Sequence, residues 1–229
     1  RLNKVARIFE ILSKIWIYRR RVEFILIDTY STSAFWYTFL SGVWAKMLNI
    51  RYVPILHGGN MPERLITNKR ACDKIFVNAF TSVTVSRYLK AFLDSRSYKN
   101  EMIPNSINIE NYTFKRRDTI SPRILWVRSF HKIYNPRMAI DVLNGIITLY
   151  PQAELCMVGP DKDGSLSTVK KYAQEKNLVD RVKLTGMIPN STWIKLATEY
   201  DIFINTSHFD NMPVSVVEAM ALGLPVIST

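Results

Sequence analysis

The hydrophobic residues of the chain fall into short uninterrupted runs that alternate with longer segments of helical spacing. Short apolar runs bounded by turn residues are typical of buried strands, and a helical period over a longer segment is typical of an amphipathic helix. The predicted strands are 24–28, 51–56, 73–77, 82–86, 123–127, 154–159, 182–184, 201–205 and 224–228. The predicted helices are 1–21, 34–48, 88–93, 136–150, 167–176 and 213–222. This alternation predicts an α/β fold with parallel sheets.

A charged segment with few apolar residues, 110–122, separates two such sets of elements. Segments of this composition are typical of linkers between domains. We therefore predict two domains, residues 1–115 and 116–229. With 229 residues and 48% hydrophobic content, the chain is long enough to bury two small cores.

The positive charge is concentrated in the first half of the chain. Residues 1–116 contain 19 Lys and Arg against 8 Asp and Glu, a net charge of +11, whereas residues 117–229 contain 12 against 11, a net charge of +1. The first predicted helix, 1–21, is basic and amphipathic and closes on Arg19, Arg20 and Arg21. Two compatible interpretations stay open: the helix covers a sheet with its charges solvated, or it lies on an anionic membrane surface.

The two cysteines, Cys72 and Cys156, lie far apart and form neither a disulfide framework nor a metal-ligand spacing. We expect buried thiols in a reducing compartment, which predicts a cytoplasmic protein, peripheral on the inner face of the membrane if the basic helix binds lipid. The uncharged run 29–45 contains six Ser or Thr and one Gly, so it is a poor candidate for a membrane span.

The last 24 residues carry the most informative chemical pattern. They predict a strand–loop–helix–strand unit, in which Pro213 suits the first helical turn and Asn211 or Ser207 caps it. Ligands of such units bind at the loop after the first strand.

Glu218 is the one charged residue between Asn211 and Thr229, on a helix that is apolar nearly all round. A buried carboxylate is costly unless hydrogen-bond donors surround it. A solvent-facing Glu218 is the alternative, but Asp210 in the preceding loop favours a site, because two acceptor carboxylates near a helix N-terminus suit a ligand with hydroxyls and phosphates.

Two other loops carry candidate chemistry. Glycines directly after a strand let the backbone approach a ligand closely, and cations after a strand near a helix N-terminus suit a diphosphate. A lone His in such a loop is more often structural, and loop cations are usually solvated. The candidates are His57, Gly58, Gly59 and Asn60 after one strand and Arg128 and Lys132 after another.

The pattern Asp161-Lys162-Asp163 has the form of a metal–nucleotide motif. Two Asp one residue apart are common by chance, and here they follow a strand of a doubly wound domain, so we predict a surface turn. An EF-hand is excluded because Gly164 comes too early and Tyr172 stands in place of the closing Glu.

The segment D-N-M-P-V-S-V-V-E-A-M-A-L-G-L-P-V-I resembles the donor-binding motif of family 4 glycosyltransferases, which are retaining enzymes of the GT-B fold. The usual motif has two Glu separated by seven residues. Asp210 stands at the first Glu, and Asn211-Met212-Pro213 replace the usual Gly-Phe-Gly, as in a D-N-x-P branch of the family. A complete member needs further strands and helices at both ends, so we expect this chain to be part of a longer protein.

The resemblance implies two Rossmann-like doubly wound domains that face each other across a cleft, an acceptor-side domain followed by a nucleotide-sugar-binding domain. It also implies a role for each candidate. Glu218 would bind the ribose hydroxyls, and Asp210 the sugar hydroxyls. Arg128 and Lys132 would neutralise the leaving diphosphate, although Tyr134 rather than a Lys precedes Asn135-Pro136. The remaining implied site residues are Asn211, Met212 and Pro213 at the donor, Gly186 and Met187 against the base, and His57, Gly58, Gly59 and Asn60 facing donor sugar and acceptor.

We therefore predict transfer of a sugar from a nucleotide-sugar to a glycan or lipid-linked acceptor with retention of configuration, in cell-surface polysaccharide synthesis. The nucleotide-sugar is a co-substrate, and no metal, other cofactor or nucleic acid is implied. One alternative is a nucleotide-sugar oxidoreductase or epimerase, which the absence of a G-x-G-x-x-G pattern disfavours. Another is a non-catalytic basic module for membrane or nucleic-acid surfaces, which explains the charge but not Asp210 and Glu218.

Overall fold

A computed structural model describes residues 3–229 of the chain. The structure divides into two compact units. The first unit runs to Asn105 and also includes Asp210–Met212; the second comprises Ser106–Phe209 and Pro213–Thr229. The boundary between the units thus follows Asn105, whereas the composition of the sequence predicts it after residue 115.

The first unit is built on a parallel four-stranded sheet in the order β1-β2-β3-β4. Its elements are α1 Lys4–Tyr18, β1 Phe24–Thr29, α2 Phe35–Met47, β2 Arg51–Leu56, α3 Met61–Thr67, α4 Lys69–Phe76, β3 Ser82–Thr84, α5 Arg87–Asp94 and β4 Asn100–Met102. The helix predicted at 1–21 is therefore shorter in the structure, where it is α1, and its first two predicted residues lie outside the described part of the chain.

The second unit is built on a parallel five-stranded sheet in the order β7-β6-β5-β8-β9. Its elements are β5 Arg123–Val127, α6 Pro136–Ile146, β6 Glu154–Val158, α7 Ser165–Glu175, β7 Val182–Gly186, α8 Asn190–Leu196, β8 Ile202–Asn205, α9 Val214–Ala221 and β9 Val226–Ser228. The chain winds outward from β5 to β7 and then returns to the other side of β5 as β8. The strand order therefore reverses between β5 and β8.

The central strands of the second unit are buried on both faces. Trp126 and Met157 enter one hydrophobic cluster, while Leu125 and Cys156, their neighbours along the same strands, enter the cluster on the opposite face. A strand with two buried faces reads as a continuous apolar run, which is why these strands were predictable.

The β1 strand differs, because one of its faces is open. Ile25 and Ile27 pack into the core of the first unit, whereas Phe24 and Leu26 are exposed. The prediction of a fully buried strand was therefore wrong for β1, which lies at one edge of the sheet described here.

The predicted strand at 73–77 is also wrong, because most of it belongs to α4. Cys72, Ile75 and Phe76 are buried along one side of this helix, and the Tyr52 hydroxyl donates a hydrogen bond of 2.7 Å to the carbonyl oxygen of Ile75. An apolar run of this length fits a strand and a buried helix turn equally well. The long-range packing against Tyr52 decides between them.

Both cysteines are free and buried, as predicted. Burial raises the pKa of the Cys72 thiol to about 12, against a small opposing effect of Arg64. Burial also raises the pKa of Cys156.

The predicted linker is irregular, but one of its residues is a packed part of the second unit. The Arg117 guanidinium donates hydrogen bonds to the carbonyl oxygens of Tyr200, Leu222 and Ala197 at 2.9–3.2 Å. It also lies 3.6 Å from the buried carboxylate of Asp201. Burial lowers the pKa of Arg117, and the charge of Asp201 opposes this effect.

Gly159 provides a test of the packing between β5 and β6. A Cβ atom at this position would lie 1.8 Å from the Arg128 carbonyl oxygen, and the backbone φ of +151° is unfavourable for other residues. We expect Gly159→Ala to lower the free energy of unfolding by about 2–4 kcal/mol. The control is Gly145→Ala in α6, where an added Cβ would meet nothing within 4 Å. This variant should raise the free energy of unfolding by about 0.5–1 kcal/mol. Urea denaturation measures both, and equal stability of the two variants would contradict this packing.

Candidate functional site

The carboxyl edge of the second sheet carries two of the predicted site residues, Arg128 and Gly186, together with Gly159 and Thr206. Arg128 follows β5, Gly159 follows β6, Gly186 ends β7 and Thr206 follows β8. Because the strands are parallel, all four lie at the same edge. Crevices at the point where strand order reverses are the usual ligand sites of doubly wound sheets, and here that point lies between β5 and β8.

Arg128 is held by its surroundings at this edge. Its backbone N–H donates to the Val158 carbonyl oxygen at 3.0 Å, and its guanidinium carbon lies 4.5 Å from the centre of the Tyr134 ring. The side chain is half-buried, and this burial lowers the pKa of the guanidinium, with a smaller opposing effect of Tyr134. A partly desolvated arginine with a planar fork is suited to grip two oxygens of a phosphate.

Thr206 fixes the loop that carries Arg128. Its hydroxyl accepts a hydrogen bond from Trp126 Nε1 at 3.0 Å and lies 2.9 and 3.0 Å from the carbonyl oxygens of Tyr134 and Asn135. Asn135 itself adopts a left-handed conformation just before α6. The end of β8 thus anchors the turn between β5 and α6, a contact that the sequence did not predict.

Lys132 lies on the same loop with an exposed side chain. Its backbone N–H donates to Asp163 Oδ2 at 3.0 Å, and Asp163 Oδ1 accepts from the Ser165 backbone N–H at 3.1 Å. Asp161 accepts from the Gly164 N–H at 2.9 Å. The D-x-D pattern is therefore a surface turn, as predicted, and its carboxylates organise the loop. Across residues 3–229, no group of three or more potential metal ligands is found.

Glu218 lies on α9 and is 7% exposed, so the alternative of a solvent-facing carboxylate is wrong. Its Oε1 accepts hydrogen bonds from the Tyr112 hydroxyl at 2.5 Å and from Asn190 Nδ2 at 3.1 Å. Within the described chain, both of these bonds fall on the same carboxylate oxygen. Oε1 is thereby fixed, and Oε2 accepts neither of these two bonds.

Tyr112 and Asn190 contact the candidate residue Glu218, and the sequence analysis singled out neither of them. Burial raises the pKa of Tyr112 to about 12, and the hydrogen bond to Glu218 adds to the shift. Tyr112 follows a short turn, Ile109–Asn111, inside the segment predicted as a linker, and Asn190 begins α8. No spacing in the sequence connects either residue to Glu218.

Gly186 is the last residue of β7, and Met187 follows it. Gly186 has a φ of +66°, and its carbonyl oxygen accepts from the Gly159 N–H at 2.9 Å. Met187 is 80% exposed. The two glycines tie the ends of β6 and β7 together at the carboxyl edge.

The loop before α9 is divided between the units. Asp210–Met212 belong to the first unit, where Asn211 Nδ2 donates to the Leu56 carbonyl oxygen at 3.3 Å and Asn105 Nδ2 donates to the Met212 carbonyl oxygen at 3.1 Å. Asp210 Oδ1 accepts from the Asn211 N–H at 2.8 Å.

The capping predicted for α9 is wrong. Pro213 occupies the N-cap position rather than the first turn, and no side chain among the described residues caps the helix. Ser207 instead donates to Asn205 Oδ1 at 2.8 Å.

In the first unit, His57 follows β2 and its Nε2 lies 2.9 Å from Asp28 Oδ1 at the end of β1. The Tyr30 ring stacks on the imidazole with a centroid distance of 5.5 Å. Gly58 lies so close to the next loop that a Cβ would be 2.5 Å from the Ser31 nitrogen. Of the other two predicted residues, Gly59 is half-buried, and Asn60 Nδ2 donates to the Glu63 carboxylate.

The α1 helix carries exposed apolar residues beside basic ones. Ile15 is buried, whereas Val5 and Trp16 are exposed and Phe9 is 70% exposed. None of the described helices combines the length and the apolar character needed to cross a membrane.

The fold is that of a doubly wound α/β protein with polar and basic side chains gathered at the carboxyl edge of its second sheet. A family model described as "Glycosyl transferases group 1" matches residues 110–229, more than half of the chain. The chain belongs to the glycosyl transferases group 1 family. The predicted family is thereby confirmed at this level.

Curated relatives carry related names. The chain is 27% identical over 198 residues to the amylovoran biosynthesis glycosyltransferase AmsK of Erwinia amylovora, covering 80% of the chain and 48% of that protein. It is 30% identical over 138 residues to a phosphatidylinositol N-acetylglucosaminyltransferase subunit of Homo sapiens, covering 56% of the chain and 26% of that protein. The chain therefore spans half or less of the length of these relatives.

Solved structures confirm the predicted GT-B fold. Anabaena Alr3699/HepE in complex with UDP and glucose superposes with a TM-score of 0.80 at 16% identity, covering 99% of this chain and 64% of that chain. Sucrose-phosphate synthase from Thermosynechococcus elongatus gives a TM-score of 0.76 at 19% identity, covering 100% of this chain and 62% of that chain. At these identities the likeness concerns the fold alone.

Proposed function

We propose that the protein transfers a sugar from a nucleotide-sugar to a glycan or lipid-linked acceptor with retention of the anomeric configuration. The observation that carries the proposal is the half-buried Arg128 at the reversal point of the second sheet, on a loop anchored by Thr206. A fixed cation at that edge suits the diphosphate of a nucleotide-sugar. Membership of the glycosyl transferases group 1 family supports the reaction class.

For the donor, we assign the ribose hydroxyls to Glu218. Tyr112 and Asn190 hold Oε1, so the carboxylate is already oriented and Oε2 can accept from a hydroxyl without a large loss of side-chain freedom. Gly186 and Met187 offer backbone and an exposed apolar side chain to the base.

The reaction proposed for this site relies on charge neutralisation. As the bond to the sugar breaks, the diphosphate gains negative charge, which Arg128 and Lys132 stabilise. We assign sugar contacts to Asp210 and to the His57–Asn60 loop, as the family resemblance implies. Asp161 and Asp163 already accept hydrogen bonds from backbone N–H groups of their own loop, so we propose no metal ion at these residues.

We further propose a role in cell-surface polysaccharide synthesis, with the protein in the cytoplasm. For the biosynthetic role, the support is the likeness to a relative that is named an amylovoran biosynthesis glycosyltransferase. A lipid-linked acceptor lies at a membrane, and we assign the membrane contact of this protein to α1. Phe9 and Val5 are exposed on it together with Lys4 and Arg7. Anionic lipid headgroups complement this combination of apolar and basic side chains.

Sedimentation with liposomes tests the membrane surface. We expect anionic liposomes to retain the protein at low salt and release it at high salt, because attraction between exposed charges is screened over about 10 Å at 0.1 M. Lys4→Gln with Arg7→Gln should weaken retention, whereas the control Lys170→Gln with Lys195→Gln, two exposed lysines of the second unit, should not. Equal binding to neutral and anionic liposomes would count against this surface.

Nucleotide affinity tests Glu218. We expect Glu218→Ala to weaken binding of the preferred nucleoside diphosphate, first chosen by thermal-shift screening, by about 1–3 kcal/mol, the cost of losing a charged hydrogen-bonding partner. Glu175→Ala, an exposed carboxylate of α7, is the control. Calorimetry measures both, and an unchanged affinity in Glu218→Ala would remove this residue from the donor site.

Steady-state kinetics tests the diphosphate site in the full-length protein. Cations at this site stabilise the transition state more than the bound donor, so Arg128→Ala should lower turnover more than it lowers donor affinity. The expected loss of turnover is about 30- to 1000-fold, which corresponds to about 2–4 kcal/mol. Lys132→Ala should cost less, since an exposed lysine lacks the planar fork. Lys170→Ala is the control, and near-normal turnover in both site variants would place the diphosphate elsewhere.

A further inference from the structure

The ends of β1 and β2 bring together a carboxylate and an imidazole that are far apart in the sequence. The two strands pair in parallel with Thr29 opposite Leu56, so the residues around their carboxyl ends are neighbours. Asp28 Oδ1 and His57 Nε2 lie 2.9 Å apart as a result. Neither strand alone indicates this pair.

Several contacts hold the pair in place. The His57 N–H donates to the Thr29 carbonyl oxygen at 3.0 Å, and the Tyr30 ring stacks on the imidazole at an interplanar angle of 28°. Arg64 donates from Nε and Nη2 to the Ser31 carbonyl oxygen at 2.9 and 2.7 Å. Both loops are thereby fixed, and the imidazole has one favoured orientation.

The chemistry of the pair fixes the position of a proton. An ionised aspartate only accepts hydrogen bonds, so the nitrogen that faces it must carry hydrogen. In the neutral imidazole this is the Nε2–H tautomer, which leaves the lone pair on Nδ1. Nδ1 makes no hydrogen bond to any residue in the described range 3–229.

A purely stabilising role accounts poorly for the pair. The Asp28 side chain is 66% exposed and that of His57 is 31% exposed. Exposed ion pairs of this kind contribute little to the stability of a fold. Loss of Asp28 should therefore leave the first unit folded.

We propose that Asp28 is a positioning residue, which holds His57 as the Nε2–H tautomer so that Nδ1 accepts a hydrogen bond from a sugar hydroxyl. The inference rests on the proposed glycosyl transfer for its substrate, but the tautomer can be measured without any activity. The hydroxyl belongs either to the donor sugar or to the acceptor, and kinetics separates these sources.

The first experiment is ¹⁵N NMR of the full-length protein with labelled histidine at a pH where the imidazole is neutral. The chain has three histidines, so His57→Asn identifies the signals of this ring. We expect the Nε2–H pattern in the unaltered protein and a mixture of tautomers in Asp28→Ala. A predominant Nδ1–H form in the unaltered protein, or an unchanged pattern in Asp28→Ala, would overturn the proposal whether or not transfer is detected.

The second experiment is a double-mutant cycle in the transfer assay. We expect Asp28→Ala to lower kcat/KM roughly 10- to 100-fold, the worth of one hydrogen bond to a charged group, and to add nothing when His57→Ala is already present. A rise in the KM of the acceptor assigns the hydroxyl to the acceptor, and a rise in the KM of the donor assigns it to the donor sugar. Additive losses would show that Asp28 acts independently of His57 and would overturn the proposal.

Two controls complete the test. Glu23→Gln removes an exposed negative charge just before β1 and should change neither the spectrum nor the rate. Equal thermal stability of Asp28→Ala and the unaltered protein would show that the loss of kcat/KM does not come from unfolding. A failure of the unaltered protein to transfer sugar would count against the proposed function, while the NMR result would still decide the tautomer.

Discussion

The double-sided burial of the second sheet is the constraint on which the rest of the site depends. Leu125 and Trp126 point into different cores, so β5 has no face left for polar chemistry. Buried parallel strands satisfy their backbone groups in the ladder, and polar side chains are then accommodated where the strands end. Arg128 and Thr206 accordingly appear one residue beyond β5 and β8, and they lie at the same edge of the sheet because these strands are parallel neighbours.

The same constraint explains which parts of the fold the sequence predicts. The bounds of β2 and β5 match the predicted runs, because each is a short stretch that is apolar after its first residue and ends before polar residues. The strand prediction for 73–77 is wrong because its few apolar residues also suit a helix turn, and this turn packs on Tyr52. The prediction that β1 is fully buried is wrong for a related reason, because composition does not show whether a neighbouring element covers a strand.

The candidate site was predictable residue by residue but not as a set of contacts. A lone carboxylate on an apolar helix predicts that Glu218 is buried, and the structure places it so. Its partners Tyr112 and Asn190 come from 106 and 28 residues away, and no periodicity links them. The pairing of Asp28 with His57 likewise depends on the register of two strands. Contacts of this kind follow from topology, which local patterns leave open.

The packing of Arg117 has a practical consequence for dissecting the chain. Its guanidinium donates hydrogen bonds to carbonyl oxygens at the end of α8, just before β8 and at the end of α9. A residue close to the middle of the sequence therefore links three elements of the second unit. Tyr112 lies on the same connecting segment. A truncated protein that begins at residue 116 would lose Tyr112 and the residues leading into Arg117. One that begins at Ser106 keeps the whole unit, so that residue is the better point of division for expressing it alone.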